Sequence, residues 1–257
     1  MIMLNLFKQQ KPLIEFVSID PAYTYVAKPD NARKFLPDWI KKMKEQTSEG
    51  VHPMALERHL DTVRKCVPFL DAMKIGYTIP APADMYIKVG DYGKSFIKET
   101  RSQINLAGKT HELLSTHDER QMGTGPFRGP VLKFINPWKI NTRKGYSCLF
   151  VSPINSGNKY FECFTGVVDT DNYHNIVNFP FRILNPDNRS EFEFFIKRGE
   201  PIIQVIPFKR TEAYGKIQVR GATVQEWIEE NKDEDAVAGN FSWYREHTVE
   251  KKINLEK

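Results

Sequence analysis

Three observations predict an α+β protein whose centre is an antiparallel β-barrel or clip-like sandwich, decorated by N-terminal helices and a C-terminal helix. Between residues 131 and 208, five or more short runs rich in β-branched and aromatic residues follow one another, with turn residues between them and no helical periodicity. Before residue 76 the apolar spacing is helical in two places. The composition, 40% hydrophobic, 12% aromatic and 27% charged over 257 residues, is that of a packed interior, which excludes disordered, collagen-like and fibrous classes. At this length a core needs no disulfide or metal staple. A single structural domain is expected over 1–257, with helical decoration at 1–76, a β core at 77–220, and a C-terminal helix and polar tail at 221–257.

In chain order, residues 13–19 read as a strand that Asp20 and Pro21 stop. From 31 to 46, Phe35, Leu36, Trp39, Ile40 and Met43 recur at helical spacing among Lys34, Lys41, Lys42 and Lys44, which predicts an amphipathic helix starting near Pro37. Its apolar stripe suits a core contact, and its lysine face alternatively suits a membrane or nucleic acid. A second helix is predicted over 53–67, ended or kinked by Pro68. Short strands follow at 77–79 and 85–89, with Asp91, Tyr92 and Gly93 as a turn. Periodicity is poor from 94 to 129, and 123–130 reads as loop. Strands are then expected at 131–135, 146–151, 160–164, 176–184 and 192–208, the last broken at Gly199-Glu200-Pro201. A short strand at 216–219 and a helix at 223–230 complete the pattern.

The net charge of +5 favours anionic partners only weakly, so a nucleic-acid interface is not expected. Cys66, Cys148 and Cys163 form no CxxC pair, which indicates reduced thiols and a cytoplasmic setting. The apolar start is too short for a signal peptide, and no window has the roughly 18 apolar residues of a membrane span. No membrane association is expected.

The strongest local pattern is Thr165-Gly166-Val167-Val168-Asp169-Thr170-Asp171-Asn172-Tyr173, where an apolar run ends in two carboxylates and an aromatic ring. A carboxylate fixed there can accept a proton from water, and the ring can pack on a sugar. Equally, both aspartates suit a turn in which their side chains bond the local backbone.

Together with Ile196-Lys197-Arg198-Gly199-Glu200-Pro201-Ile202-Ile203-Gln204-Val205-Ile206, this segment resembles the third and fourth motifs of the dUTP pyrophosphatase family, Gly-Val-Ile-Asp-x-Asp-Tyr and Gly-x-x-Ile-Ala-Gln. Upstream, residues 140–146 and Ser152-Pro153-Ile154-Asn155-Ser156-Gly157 stand where that family has its Pro-Gly-Tyr turn and its Pro-Arg-Ser-Gly phosphate motif. The likeness covers residues 131–210. It implies a dUTP pyrophosphatase-like (β-clip) core and a homotrimer that binds a deoxynucleotide at subunit borders with Mg²⁺ on the phosphates. Asp169 matches the aspartate that activates water, and Tyr173 the tyrosine that packs on deoxyribose. Ser156, Gly157, Gln204 and Asp171 join the substrate-binding set, with Lys197 and Arg198 as added cations. The implied activity is a Mg²⁺-dependent dUTP or dNTP pyrophosphohydrolase, and no metal ligand is assigned to the protein itself. Asn172 is an extra residue between Asp171 and Tyr173, and the arginine of Pro-Arg-Ser-Gly has no counterpart at its place in the motif.

The whole chain is also similar to a group of uncharacterised tailed-phage and bacterial proteins, through residues 34–39, 68–72 and 145–150. That likeness leads to a second expectation, a non-catalytic phage-type assembly or partner-binding protein on the same β core, in the cytoplasm of a bacterial host. Other candidates read as ordinary structure. Gly123, Gly125 and Gly129 with Arg128 lack the Walker lysine, and His111 and His117 beside Glu112 and Asp118 fit no metal spacing. His52 and His59 lack a third ligand, and Phe241, Trp243 and Tyr244 suit either a clamp or an anchor for the tail.

Overall fold

Apolar alternation becomes antiparallel pairing along most of the chain. The computed structural model describes residues 12–21, 23, 26–47, 61–93, 95–97, 103–106, 108–122, 131–227 and 229. In chain order, β1 (Ile14–Ser18) and β2 (Asp30–Asn31) lead through a 3₁₀ turn to α1 (Asp38–Lys42) and α2 (Val67–Lys74). Next come β3 (Tyr77–Pro80), β4 (Met85–Gly90), β5 (Ser95–Ile97), β6 (Gln103–Leu106), β7 (Lys109–Glu112), β8 (Leu114–His117) and β9 (Val131–Phe134). The rest comprises β10 (Trp138–Thr142), β11 (Tyr146–Val151), β12 (Phe161–Cys163), β13 (Gly166–Val168), β14 (Phe179–Ile183), β15 (Phe192–Ile196), β16 (Pro201–Lys209) and α3 (Arg210–Ala213). The described residues are mostly antiparallel β with few short helices.

The described residues fall into two units, one drawn from Met1–Phe35 and Gly76–Gly215, the other from Leu36–Ile75 and Lys216–Lys257. In the first, the largest sheet has the order β13-β11-β16-β3-β2, and a second has β12-β14-β9-β8. Smaller sheets join β15-β4-β5, β1-β10 and β6-β7. Among the described residues no sheet closes on itself, because β13 and β2 remain the ends of one sheet and β12 and β8 those of the next. The barrel expectation is therefore corrected to open sheets.

The core explains the strand identities. Phe161 and Phe181 meet Phe134 with ring centroids 5.3 and 4.1 Å away respectively, each burial contributing about 1.5–3 kcal/mol. β16 is central in its sheet, between β11 and β3, and Ile202, Ile203, Gln204 and Val205 are buried in succession, the pattern of a strand covered on both faces. Buried Asn136 closes the β9–β10 bend: its Nδ2 donates to Trp138 O (2.7 Å) and Val177 O (3.0 Å), and its Oδ1 accepts from Trp138 N–H (3.0 Å).

The second unit holds α1 and α2. Ile40 is fully buried, Trp39 meets Phe69 edge-on at 6.3 Å, and Arg64 Nη1 donates to Ile40 O at 2.7 Å. Pro68 opens α2 rather than ending a helix, because the first helical turn has no use for the missing N–H. Residues 216–219 form no strand, and Ile217 and Val219 are almost fully exposed. Backbone at 224–227 is helical, as expected. Residues 53–60 of the second expected helix lie outside the described residues, as do His52 and His59. So do the glycine-rich segment 123–130 and the tail with Phe241, Trp243 and Tyr244.

Candidate functional site

β13 pairs with β11, Val168 opposite Cys148, and the chain then leaves the sheet in a tight turn. Asn172 N–H and Tyr173 N–H both donate to Asp169 O, at 3.0 and 2.9 Å. The extra residue Asn172 is thus absorbed in a helical-type turn. The reversal of facing that one inserted residue causes in a strand does not arise here.

The two carboxylates of this turn have different surroundings. Asp171 is 5% exposed and accepts two parallel hydrogen bonds from Arg210, Nη1 to Oδ1 and Nη2 to Oδ2, both at 2.7 Å. Gly145 N–H adds a third, at 2.7 Å to Oδ2. The Arg210 hydrogen bonds, helped by Gly145, outweigh burial and hold the carboxyl down to about 2. Asp171, expected as a substrate contact, is held by Arg210 and Gly145 at the base of the turn. Both of its oxygens are engaged, and it ties the β10–β11 turn to the end of β16.

Asp169 is held and yet open. Ser147 Oγ, on β11, donates to its Oδ1 at 2.6 Å, and Arg210 Nη1 lies 3.4 Å from the same oxygen. Arg210 Nη1 also donates to Ser147 Oγ at 3.1 Å and to Tyr146 O at 3.1 Å. The Asp169 side chain is 62% exposed. Beneath it, Thr170 and Thr142 join their hydroxyls at 2.8 Å, and Thr170 Oγ1 donates to buried Cys148 Sγ at 3.3 Å. Tyr173 stands exposed at the far end of the turn. Both aspartate side chains are held chiefly by groups distant in sequence, Ser147, Gly145 and Arg210, and Asp171 also takes a bond from its own N–H.

Ser156, Gly157 and Gln204 form a second locus. Buried Gln204, opposite Val151 in the β11–β16 ladder, accepts Ile154 N–H on Oε1 at 3.0 Å and so fixes the loop after β11. Asn155 (φ +54°) and Gly157 (φ +75°) take left-handed conformations, and Ser156 N–H donates to Pro153 O. Ser152 Oγ accepts Cys163 N–H at 2.7 Å, which binds the loop to β12. An open cleft of about 490 Å³ results, lined by the loop together with Glu162 and Arg182. Lys197 and Arg198 lie in the turn before β16 and are not among its lining residues.

Within one chain these two loci stay apart. Ser147 pairs with Phe208 and Val151 with Gln204, four ladder positions or roughly 13 Å along β11. Asp169, Asp171 and Tyr173 stand at one end, and Ser156, Gly157 and Gln204 at the other.

Sequence reasoning missed Ser147, Arg210 and Arg182. The signal for Ser147 was a hydroxyl in the apolar run Tyr146–Val151, which burial obliges to find a partner. Arg210 follows the last strand directly, where its reach back to a turn 39 residues earlier has no local signature.

Among the described residues no group of three or more His, Cys, Asp or Glu is arranged to hold a metal ion. No described helix is long and apolar enough to cross a membrane. No protein-family model matches the chain. None of the curated proteins matches it either.

Proposed function

We propose that the protein binds a deoxynucleoside triphosphate between two copies of itself and cleaves it to the monophosphate and pyrophosphate. One copy supplies Asp169 and Tyr173, and the neighbouring copy supplies the cleft at 152–158 backed by Gln204. The observation that carries this reading is Asp169: a carboxylate fixed by Ser147 and Arg210 yet 62% exposed. A working carboxylate must be held in its productive orientation by supporting groups, and Ser147 and Arg210 supply that support here. A fixed carboxylate can orient water and take its proton, a contribution of about 10²–10⁴ in rate. Mg²⁺ on the phosphates supplies charge neutralisation. The chain's own parts are the base, the tyrosine ring beside it, and a loop made rigid by Gln204. A homotrimer is the assembly that the dUTP pyrophosphatase likeness implies, and the separation of the two loci within one chain favours a shared site.

Chromatography of each dNTP, dUTP included, incubated with the protein with and without Mg²⁺, tests the reading. The expected result is metal-dependent monophosphate and pyrophosphate formation that falls at least about 100-fold in Asp169→Asn. A mixture of Asp169→Asn with Ser156→Asp, each inactive alone, regains turnover when the copies are refolded together, because one border then combines two intact halves. No turnover and no rise in melting temperature with any dNTP sinks the proposal and leaves the assembly or partner-binding protein.

A further inference from the structure

The cleft at 152–158 has a cation on its far wall. Arg182 on β14 stands directly opposite Glu162 on β12, and both line the cleft with Ser152, Ser156 and Gly157. Arg182 Nε donates to Glu162 Oε2 at 2.7 Å, and its Nη2 meets the same oxygen, so both contacts converge on one atom of the carboxylate. Both side chains remain nearly half exposed toward solvent.

The opposite wall is a loop whose shape is fixed from within. Gln204 holds Ile154 N–H, Ser152 Oγ holds Cys163 N–H, and Asn158 Oδ1 holds Tyr160 N–H. The volume of about 490 Å³ is in the range of sites for small molecules, roughly 300–1,000 Å³. Hydroxyls and a guanidinium lining one cleft match the chemistry of a phosphoryl group. Arginine's planar fork presents paired N–H donors to phosphate as it does to carboxylate.

We infer that Arg182 is the phosphate-binding cation of this cleft and that Glu162 is its resident counter-ion, which an entering phosphoryl group displaces. The inference rests on the nucleotide-binding reading and adds to it the residue that meets the phosphate charge. In the unliganded cleft Glu162 keeps the guanidinium aimed. When a phosphate binds, the fork exchanges one acceptor for another, and the freed carboxylate opposes the incoming charge. Glu162 therefore lowers affinity while it preserves orientation.

Titration calorimetry of the full chain with inorganic pyrophosphate, which tests binding apart from hydrolysis, decides the matter. Saturable binding is expected, weakened at least about tenfold by Arg182→Ala, partly restored by Arg182→Lys, and strengthened several-fold by Glu162→Gln. A plain cross-strand ion pair predicts the opposite for the last variant: a slightly lower melting temperature and unchanged pyrophosphate affinity. The inference is overturned if the wild type shows no saturable binding, if Arg182→Ala binds as well as wild type, or if Glu162→Gln binds no better. Its fate is separable from that of the hydrolase reading. Arg182-dependent pyrophosphate binding in a protein that cleaves no dNTP keeps the subsite alone, and dNTP cleavage untouched by Arg182→Ala keeps the reaction alone.

Discussion

Asp171 lies under the Arg210 guanidinium with its side chain 5% exposed, and its carboxyl is held at about 2 against an ordinary 3.8. A carboxyl whose value is depressed in the folded state stabilises the fold above about pH 4, and the contribution fades as pH falls toward 2. Solvent around the partly exposed guanidinium screens the pair, so the contribution is on the order of 1 kcal/mol. Asp171→Asn is therefore expected to lower the urea midpoint at pH 7 and to flatten its fall between pH 4 and pH 2. A variant whose midpoint falls as steeply as the wild type's in that window assigns the acid sensitivity elsewhere. The Asp-x-Asp spacing was legible in the sequence, and the division of labour within it was not. Which aspartate is buried depends on Gly145 and Arg210, and these reach the turn only through the β11–β16 ladder. Likewise Gln204 and Asp169 belong to one resemblance in sequence, while the register puts them at opposite ends of β11.

Several elements were readable where one face is buried against a partner, although β10, with Trp138 and Ile140 buried, was not among the strands expected. β11, with the pattern Tyr-Ser-Cys-Leu-Phe-Val, was expected at its observed bounds, and the break at Gly199 between β15 and β16 falls in the observed turn. The hairpin β6–β7 escaped notice because Lys109–Glu112 is mostly exposed and shows no apolar alternation, its turn resting on Gly108 at φ +77°. At 216–219 strand propensity misled in the other direction, since among the described residues no strand pairs with it. Gly76 tests how tightly β3 is seated. Its φ is +73°, and a Cβ there would stand 2.3 Å from Val205 O on β16. Gly76→Ala is expected to cost at least about 2 kcal/mol, a fall of roughly 4–8 °C in Tm by calorimetry. Gly108→Ala, with a similar φ and nothing within 4 Å, should lose only the conformational part. Equal losses at the two sites would mean that the β3–β16 approach is not tight.

At the scale of the whole molecule, the cysteines report on the two units separately. Cys66 lies in the unit that contains α1 and α2 and is partly exposed, whereas Cys148 and Cys163 are buried in the β-rich unit. Burial raises the Cys148 thiol to about 11 and pushes Cys163 higher still. A chromogenic disulfide reagent at pH 8 is expected to titrate one thiol in the native protein and all three in guanidinium. Rapid native reaction of a second thiol would show the β-rich unit opening readily. One feature of that unit also governs its birth on the ribosome. β3 finds its ladder partner in β16, Pro80 opposite Pro201, about 120 residues later in the chain. At about 5–20 residues per second, the edge of β3 waits roughly 6–24 s for its neighbour to be synthesised. Throughout that interval the nascent protein presents an open strand edge. The emergence of β16, which slides between β3 and β11, is the event that seals the largest sheet.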